Sequence, residues 1–155
     1  MHPARSIILF TSASGAGYGL LFLLALLGLA EGLPRDLWFA GLSMAVALGL
    51  VVVGLLASTF HLGHPERAWR AISQWRSSWL SREGLAALVT FLPALAFGWG
   101  WLVEGRSDGA WAVAAGLTAV GAAVTVFCTA MIYASLKPIR QWRHPLVPPA
   151  YLAFA

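Results

Sequence analysis

The residues of this chain that could carry acid–base chemistry are concentrated in one polar stretch between positions 61 and 83. It contains His61, His64 and Glu83, together with four of the ten basic residues. Long, nearly uncharged apolar runs flank it on both sides. Because a charge is costly in lipid, such a stretch must lie in or beyond the head-group region. A polar site placed there can meet a hydrophobic ligand at the ends of membrane helices.

A histidine, a carboxylate and arginines at the mouth of a helix bundle suit the binding and oxidation of a quinol. The reaction releases protons along with electrons, and histidine or a suitably placed glutamate can accept them. The stretch therefore predicts a quinol site that uses one of its two histidines, His61 or His64, together with the Glu83 carboxylate. Trp79 would form an apolar wall, and Arg67 and Arg82 are added by proximity. The electrons would leave directly to a centre on another subunit.

Simpler interpretations of the same residues stay open. Glu83 could complement the positive end of a helix dipole, with Ser81 as the N-cap of that helix. The arginines could be head-group anchors. His61 and His64 could bind a metal, although two ligands three residues apart are a weak signal.

Composition indicates a membrane protein. Of the 155 residues, 59% are hydrophobic and only 10% are charged, whereas soluble domains carry roughly a quarter of charged residues. The net charge of +4 comes from two basic segments and indicates membrane orientation or partner docking, with no sign of a nucleic-acid surface. The lone Cys128 excludes a disulfide framework within the chain.

The apolar runs predict an all-α integral membrane fold, a four-helix up-down bundle that forms a single membrane domain over residues 1–155. A short amphipathic helix in the interface plane is predicted between the second and third spans, because Trp69, Ile72, Trp75 and Trp79 recur at helical spacing. A further apolar segment starts near residue 150 and predicts a fifth span cut short, so we expect a longer protein. The predicted spans are residues 6–29, 37–60, 85–103 and 111–136.

The first span contains a run of small residues, from Thr11 to Gly19. Gly15 and Gly19 form a G-x-x-x-G pair that would let another helix approach closely, and hydroxyl groups in the run could bond across helices. Packing is the simpler interpretation, and a cofactor-facing role is the alternative.

The basic residues follow the second and fourth spans, so the positive-inside rule places the N-terminus and both basic segments in the cytoplasm. Docking of an acidic partner on these segments would invert that assignment. The side of the membrane that a quinol site faces is therefore left open.

Several motifs resemble the membrane anchor subunit of dimethyl sulfoxide reductase, which belongs with the quinol-interacting anchors of polysulfide-reductase and nitrite-reductase type. The motif at 61–68, His-Leu-Gly-His-Pro-Glu-Arg-Ala, carries most of the resemblance. Weaker matches are the segments 2–11, 14–19, 78–83 and 131–134, and Trp142.

The resemblance implies an eight-helix protein of the bacterial inner membrane, of which this chain would be about the N-terminal half. It implies a complex with an iron–sulfur electron-transfer subunit and a molybdopterin catalytic subunit. Menaquinol would be oxidised to menaquinone, with no haem or metal in this chain. The positions matching His61 and Glu83 would belong to the quinol site.

Two alternatives of other kinds are kept. A haem-b quinol anchor needs facing histidines inside the bundle, whereas the histidines here lie at span ends or in polar segments. A transporter half or a purely structural anchor is the second alternative. Transporter sites tend to show broken helices or charges near the bilayer midplane, and only Pro93 points that way.

Overall fold

The computed structural model describes residues 5–59, 69–136 and 138–155. These residues are helical, with no strand among them. A short 3-10 turn at Arg140–Trp142 precedes the last helix. The helices are α1 (Arg5–Leu29), α2 (Leu37–Thr59), α3 (Arg70–Ser73), α4 (Trp79–Leu102), α5 (Ala110–Ala134) and α6 (Val147–Phe154).

Helices α1, α2, α4 and α5 are long and apolar enough to cross a membrane. At about 1.5 Å per residue, their 23 to 25 residues span roughly 35 Å. Large apolar side chains such as Trp38 and Leu92 are 87% and 73% exposed and can be accommodated by lipid. The predicted all-α membrane fold is confirmed.

The four long helices alternate in direction. Helix α1 packs against α2 and α5, α4 packs mainly against α5, and α6 lies against α5 and α1. The N-terminal ends of α1 and α4 therefore lie at the same end of the bundle as the C-terminal ends of α2 and α5. We call this the basic end of the bundle, because the arginines of the two polar segments lie beside it: Arg70, Arg76, Arg82, Arg140 and Arg143.

The opposite end consists of two short turns that carry most of the acidic residues. Arg106 and Asp108 form an exposed ion pair of 2.9 Å there, and the hydrogen bond from Arg106 lowers the pKa of the Asp108 carboxyl. The Trp111 indole donates to Glu104 over 3.0 Å. These acids are partnered locally and lie far along the helices from the basic end.

The closest approach of α1 and α2 uses glycines other than the predicted pair. A Cβ added at Gly54 would lie 2.7 Å from the Ser14 backbone nitrogen, and one at Gly17 would lie 2.8 Å from the Val51 nitrogen. Gly15, in contrast, has no atom within 4 Å of such a Cβ, and Gly19 is covered by Ala155 of the C-terminal segment. The small-residue run does pack against α2, but it does so through Ser14 and Gly17 and not through the predicted pair of Gly15 and Gly19.

Helix α4 begins at Trp79, six residues before the predicted third span at position 85, and its N-cap is Ser78 and not the predicted Ser81. The Ser78 side chain accepts from the Ser81 amide at 3.4 Å. Ser81 is itself a buried helical residue. The predicted boundary lies after Glu83 because a charged residue is costly inside a span. That cost is reduced here because the Thr129 hydroxyl on α5 donates a hydrogen bond to Glu83.

Within residues 69–78, the described part of the interfacial segment, there is less helix than the pattern predicts. Helix α3 is a single turn of four residues, followed by turns that lead into α4. The side chains of Trp69 and Trp75 are exposed, with Arg70 and Arg76 stacked over them. Aromatic rings and guanidinium groups in this arrangement suit the lipid head-group layer.

Replacing Gly54 by Ala tests the packing of α1 on α2. Because the new methyl group would meet the backbone of Ser14, we expect a loss of about 1–3 kcal/mol in the free energy of unfolding. Thermal unfolding of the purified protein in detergent measures it. Gly49→Ala on the same helix is the matched control, since its Cβ would meet nothing within 4 Å. Equal stability of the two variants would contradict the packing.

Candidate functional site

The site is centred on a carboxylate buried inside the helix bundle. Glu83 lies on the second turn of α4 and is only 4% exposed. It accepts a hydrogen bond from the Thr129 hydroxyl of α5. Because Glu83 lies beyond the first turn of its helix, the interpretation that it serves mainly the helix dipole loses support. Among the described residues it is the only acidic residue at the basic end.

Thr129 differs from the other buried threonines of the spans. A hydroxyl in a membrane helix usually bonds the carbonyl one turn earlier, which satisfies it within its own helix. Thr90, Thr118 and Thr125 do this, at 2.7 to 2.8 Å. Thr129 also has such a carbonyl within reach, that of Thr125 at 3.1 Å, but it is bonded across the bundle to Glu83 as well.

A cleft of about 300 Å³ opens beside this pair, between α1, α5 and α6. Thr129 forms part of its wall, so the buried carboxylate is one hydroxyl group away from the cleft. A second cavity of about 380 Å³ adjoins it and is lined mainly by apolar residues such as Phe22, Leu23 and Leu152. The polar members of the first wall are Thr11, Ser12, Ser14, Tyr18, Thr129 and Tyr151.

Tyr18 lines both cavities. It is 2% exposed, and its hydroxyl donates to the backbone carbonyl of Ala87 on α4 over 3.3 Å. Tyr151 also lines the first cleft, so the wall beside Thr129 has hydroxyl groups from both α1 and α6.

A cluster of aromatic rings lies at the outer end of the cleft. Thr11 and Tyr133 share a hydrogen bond of 2.7 Å between α1 and α5, which confirms that hydroxyls of the small-residue run bond across helices. Tyr133 stacks on Tyr151 with ring centroids 5.4 Å apart and meets the edge of Trp142 at 4.6 Å. These contacts tie α6 and the segment before it to the bundle.

The side chains of Arg82 and Trp79 lie away from the cleft. The Arg82 guanidinium donates to the carbonyls of Trp75 and Arg76 at 2.9 and 2.8 Å, and it stacks over the Trp79 ring at 4.3 Å. Trp79 meets the edge of Phe127 on α5. Neither side chain lines either cavity. Arg82 fastens the interfacial segment to α4, and quinol contacts of both residues stay predictions.

The remaining predicted site residues, His61 and Arg67, lie outside the described residues, as does His64. Helix α2 ends at Thr59, two positions before His61, and it ends at the basic end, where Glu83 lies. The possible metal site at His61 and His64 and the paired role of His61 and Glu83 therefore stay predictions.

The sequence reasoning found Glu83 but missed its partner and the cleft. Thr118, Thr125 and Thr129 recur at steps of seven and four residues, so they share one face of α5. This polar face on an otherwise apolar span was the sequence feature that could have indicated a partner for Glu83. It could not say which of the three hydroxyls would meet the carboxylate.

Comparison with known proteins supports one family. The family described as "DMSO reductase anchor subunit (DmsC)" matches residues 1–154. The chain is also 40% identical over 162 residues to the C subunit of the sulfite dehydrogenase of Allochromatium vinosum. That alignment covers 94% of this chain and 49% of the relative, so the chain spans about half the length of that protein. No solved structure matches.

Proposed function

This chain belongs to the DMSO reductase anchor subunit (DmsC) family, and on that premise we propose that it takes part in oxidising a membrane quinol. The quinol head group would bind at the basic end of the bundle, in the cleft beside Thr129. Its electrons would pass to an iron–sulfur subunit, and from there to a molybdopterin subunit that reduces the terminal acceptor.

The observation that carries this proposal is the buried carboxylate beside a membrane-level cleft. An ionisable group inside a membrane bundle is expensive and usually marks a functional pathway. Glu83 is 4% exposed, is held by Thr129 and lies one hydroxyl group away from a cleft with hydroxyl-bearing walls. A quinol needs such surroundings, because its hydroxyl groups require hydrogen-bond partners and a proton acceptor.

The size and polarity of the cavities fit this ligand class. The cleft of about 300 Å³ lies at the lower end of the range of small-molecule sites, roughly 300–1,000 Å³. It is polar near Thr11 and Thr129, whereas the adjoining cavity is largely apolar. A polar ring would suit the first cavity and part of an isoprenoid tail the second.

We further propose menaquinol as the donor and the bacterial inner membrane as the location. A quinol that loses two electrons and two protons becomes the quinone. In this proposal the protons pass to Glu83 and His61, and the electrons leave to the iron–sulfur partner. The side chains of this chain would bind the ring, orient it and accept its protons.

The relative from Allochromatium vinosum favours a second candidate for the direction of electron flow. It is named as part of a sulfite dehydrogenase, and a dehydrogenase removes electrons from its substrate. An anchor in such a complex would reduce a quinone rather than oxidise a quinol. The same groups would then return protons to the ring. Adding sulfite to membranes that contain the complex, and following quinone reduction, distinguishes the two directions.

Glu83→Gln should abolish most quinol oxidation while leaving the fold intact. The amide keeps the shape of the side chain and an acceptor for Thr129, but it cannot take up a proton. General acid–base groups contribute roughly 10²- to 10⁴-fold to rates, so we expect a fall of at least about 100-fold in turnover. Quinol oxidation by the assembled complex in membranes measures it.

Glu104→Gln is the matched control, because Glu104 lies at the opposite end and bonds the Trp111 indole. It should leave turnover near that of the unchanged protein. An assembled Glu83→Gln complex that oxidises quinol at the normal rate would exclude Glu83 as the acceptor.

His61→Ala should block quinol oxidation while the complex still assembles, because the second proton acceptor is lost. Turnover and the amount of each partner protein retained in purified membranes are the two measurements. His144→Ala is the control, since His144 is an exposed residue of the second polar segment. Normal quinol turnover in the His61 variant would remove its proposed role.

A further inference from the structure

The hydroxyl group of Thr129 has one proton but two acceptors within reach. One is the Glu83 carboxylate on α4, and the other is the backbone carbonyl of Thr125, 3.1 Å away on its own helix. A threonine hydroxyl can donate only one hydrogen bond while it accepts others. The two contacts therefore describe two arrangements of the same proton.

Each arrangement corresponds to one charge state of Glu83. When Glu83 is ionised, it can only accept, so Thr129 must donate to it. When Glu83 is protonated, it can donate to the Thr129 oxygen, and the Thr129 proton then turns to the Thr125 carbonyl. Both states keep every buried group hydrogen-bonded, which lowers the cost of changing the charge inside the bundle.

Thr129 also lines the cleft, whereas Glu83 lies behind it. The other two buried hydroxyls of this wall bond backbone carbonyls instead, since Ser14 donates to Phe10 and Tyr18 donates to Ala87. Thr129 is thus the member of the wall that bonds the carboxylate directly. A ligand hydroxyl placed against Thr129 could give it a proton as Thr129 passes its own to Glu83.

We propose that Thr129 relays a proton between a quinol hydroxyl in the cleft between α1, α5 and α6 and the Glu83 carboxylate. The ligand O–H bond breaks as a new O–H bond forms at the Thr129 oxygen. The original Thr129 proton moves to Glu83, so one proton is transferred in total. The ligand's electrons leave to the iron–sulfur partner. This inference rests on the proposed function and deepens it.

Three variants of α5 test the relay in the assembled complex. Thr129→Val removes the hydroxyl at nearly constant volume, and quinol oxidation should fall roughly 10- to 100-fold. Thr129→Ser keeps a hydroxyl and should restore most of the rate. Thr118→Val is the control, because Thr118 is a buried threonine on the same face of α5 whose hydroxyl bonds the Ala114 carbonyl of its own helix.

The solvent deuterium isotope effect on turnover separates a relay from a structural role. With the hydroxyl present, transfer of protons from exchangeable hydroxyls should slow the reaction in heavy water, and Thr129→Val should change that effect. Thr118→Val should keep the isotope effect of the unchanged protein.

The outcomes also separate failure of the relay from failure of the proposed function. Normal turnover in Thr129→Val alongside a defective Glu83→Gln would overturn the relay and leave the quinol site in place. Equal losses in Thr129→Val and Thr118→Val, or no recovery in Thr129→Ser, would equally overturn it. Normal turnover in both Glu83→Gln and Thr129→Val would remove the site itself.

Discussion

The main physical constraint on this structure is the burial of a carboxylate inside a bundle of membrane helices. Burying an ionisable group in an apolar environment is expensive unless it finds a hydrogen-bond partner. Here Glu83 of α4 meets the hydroxyl of Thr129 on α5, and the two helices form an extensive contact. That bond allows α4 to start at Trp79 and to contain a buried acid on its second turn. It also brings the acid to the wall of a cleft formed with α1 and α6.

Much of the fold could be predicted from the sequence, because lipid imposes a simple rule on it. Each span must bond its own backbone and be apolar on its outer face, so length and hydropathy locate it. The predicted start of the first, second and fourth spans agrees with α1, α2 and α5 within one residue. The predicted third span began after Arg82 and Glu83, whereas α4 already includes both residues. Pairing between helices is not visible in the hydropathy of one segment.

The candidate site was predictable in its chemistry but not in its geometry. Glu83 was predicted because it lies in the polar stretch between the second and third spans and matches the acid of the family motif. Its neighbours could not be predicted, since Thr129 is 46 residues away and which hydroxyl meets the acid depends on helix rotation. Arg82 was grouped with Glu83 because the two are adjacent, but adjacent residues on a helix point in different directions. The structure shows Arg82 bonded to the interfacial segment and Glu83 directed into the bundle.

The central claim is that Glu83 takes up a proton when a quinol is oxidised in the adjoining cleft. Infrared difference spectroscopy of the membrane complex, recorded before and after quinol oxidation, tests it most directly. We expect a carbonyl stretching band of a protonated carboxyl group that accompanies turnover and is missing in Glu83→Gln. A spectrum without a carboxyl band, or with the same band in the variant, would contradict the claim.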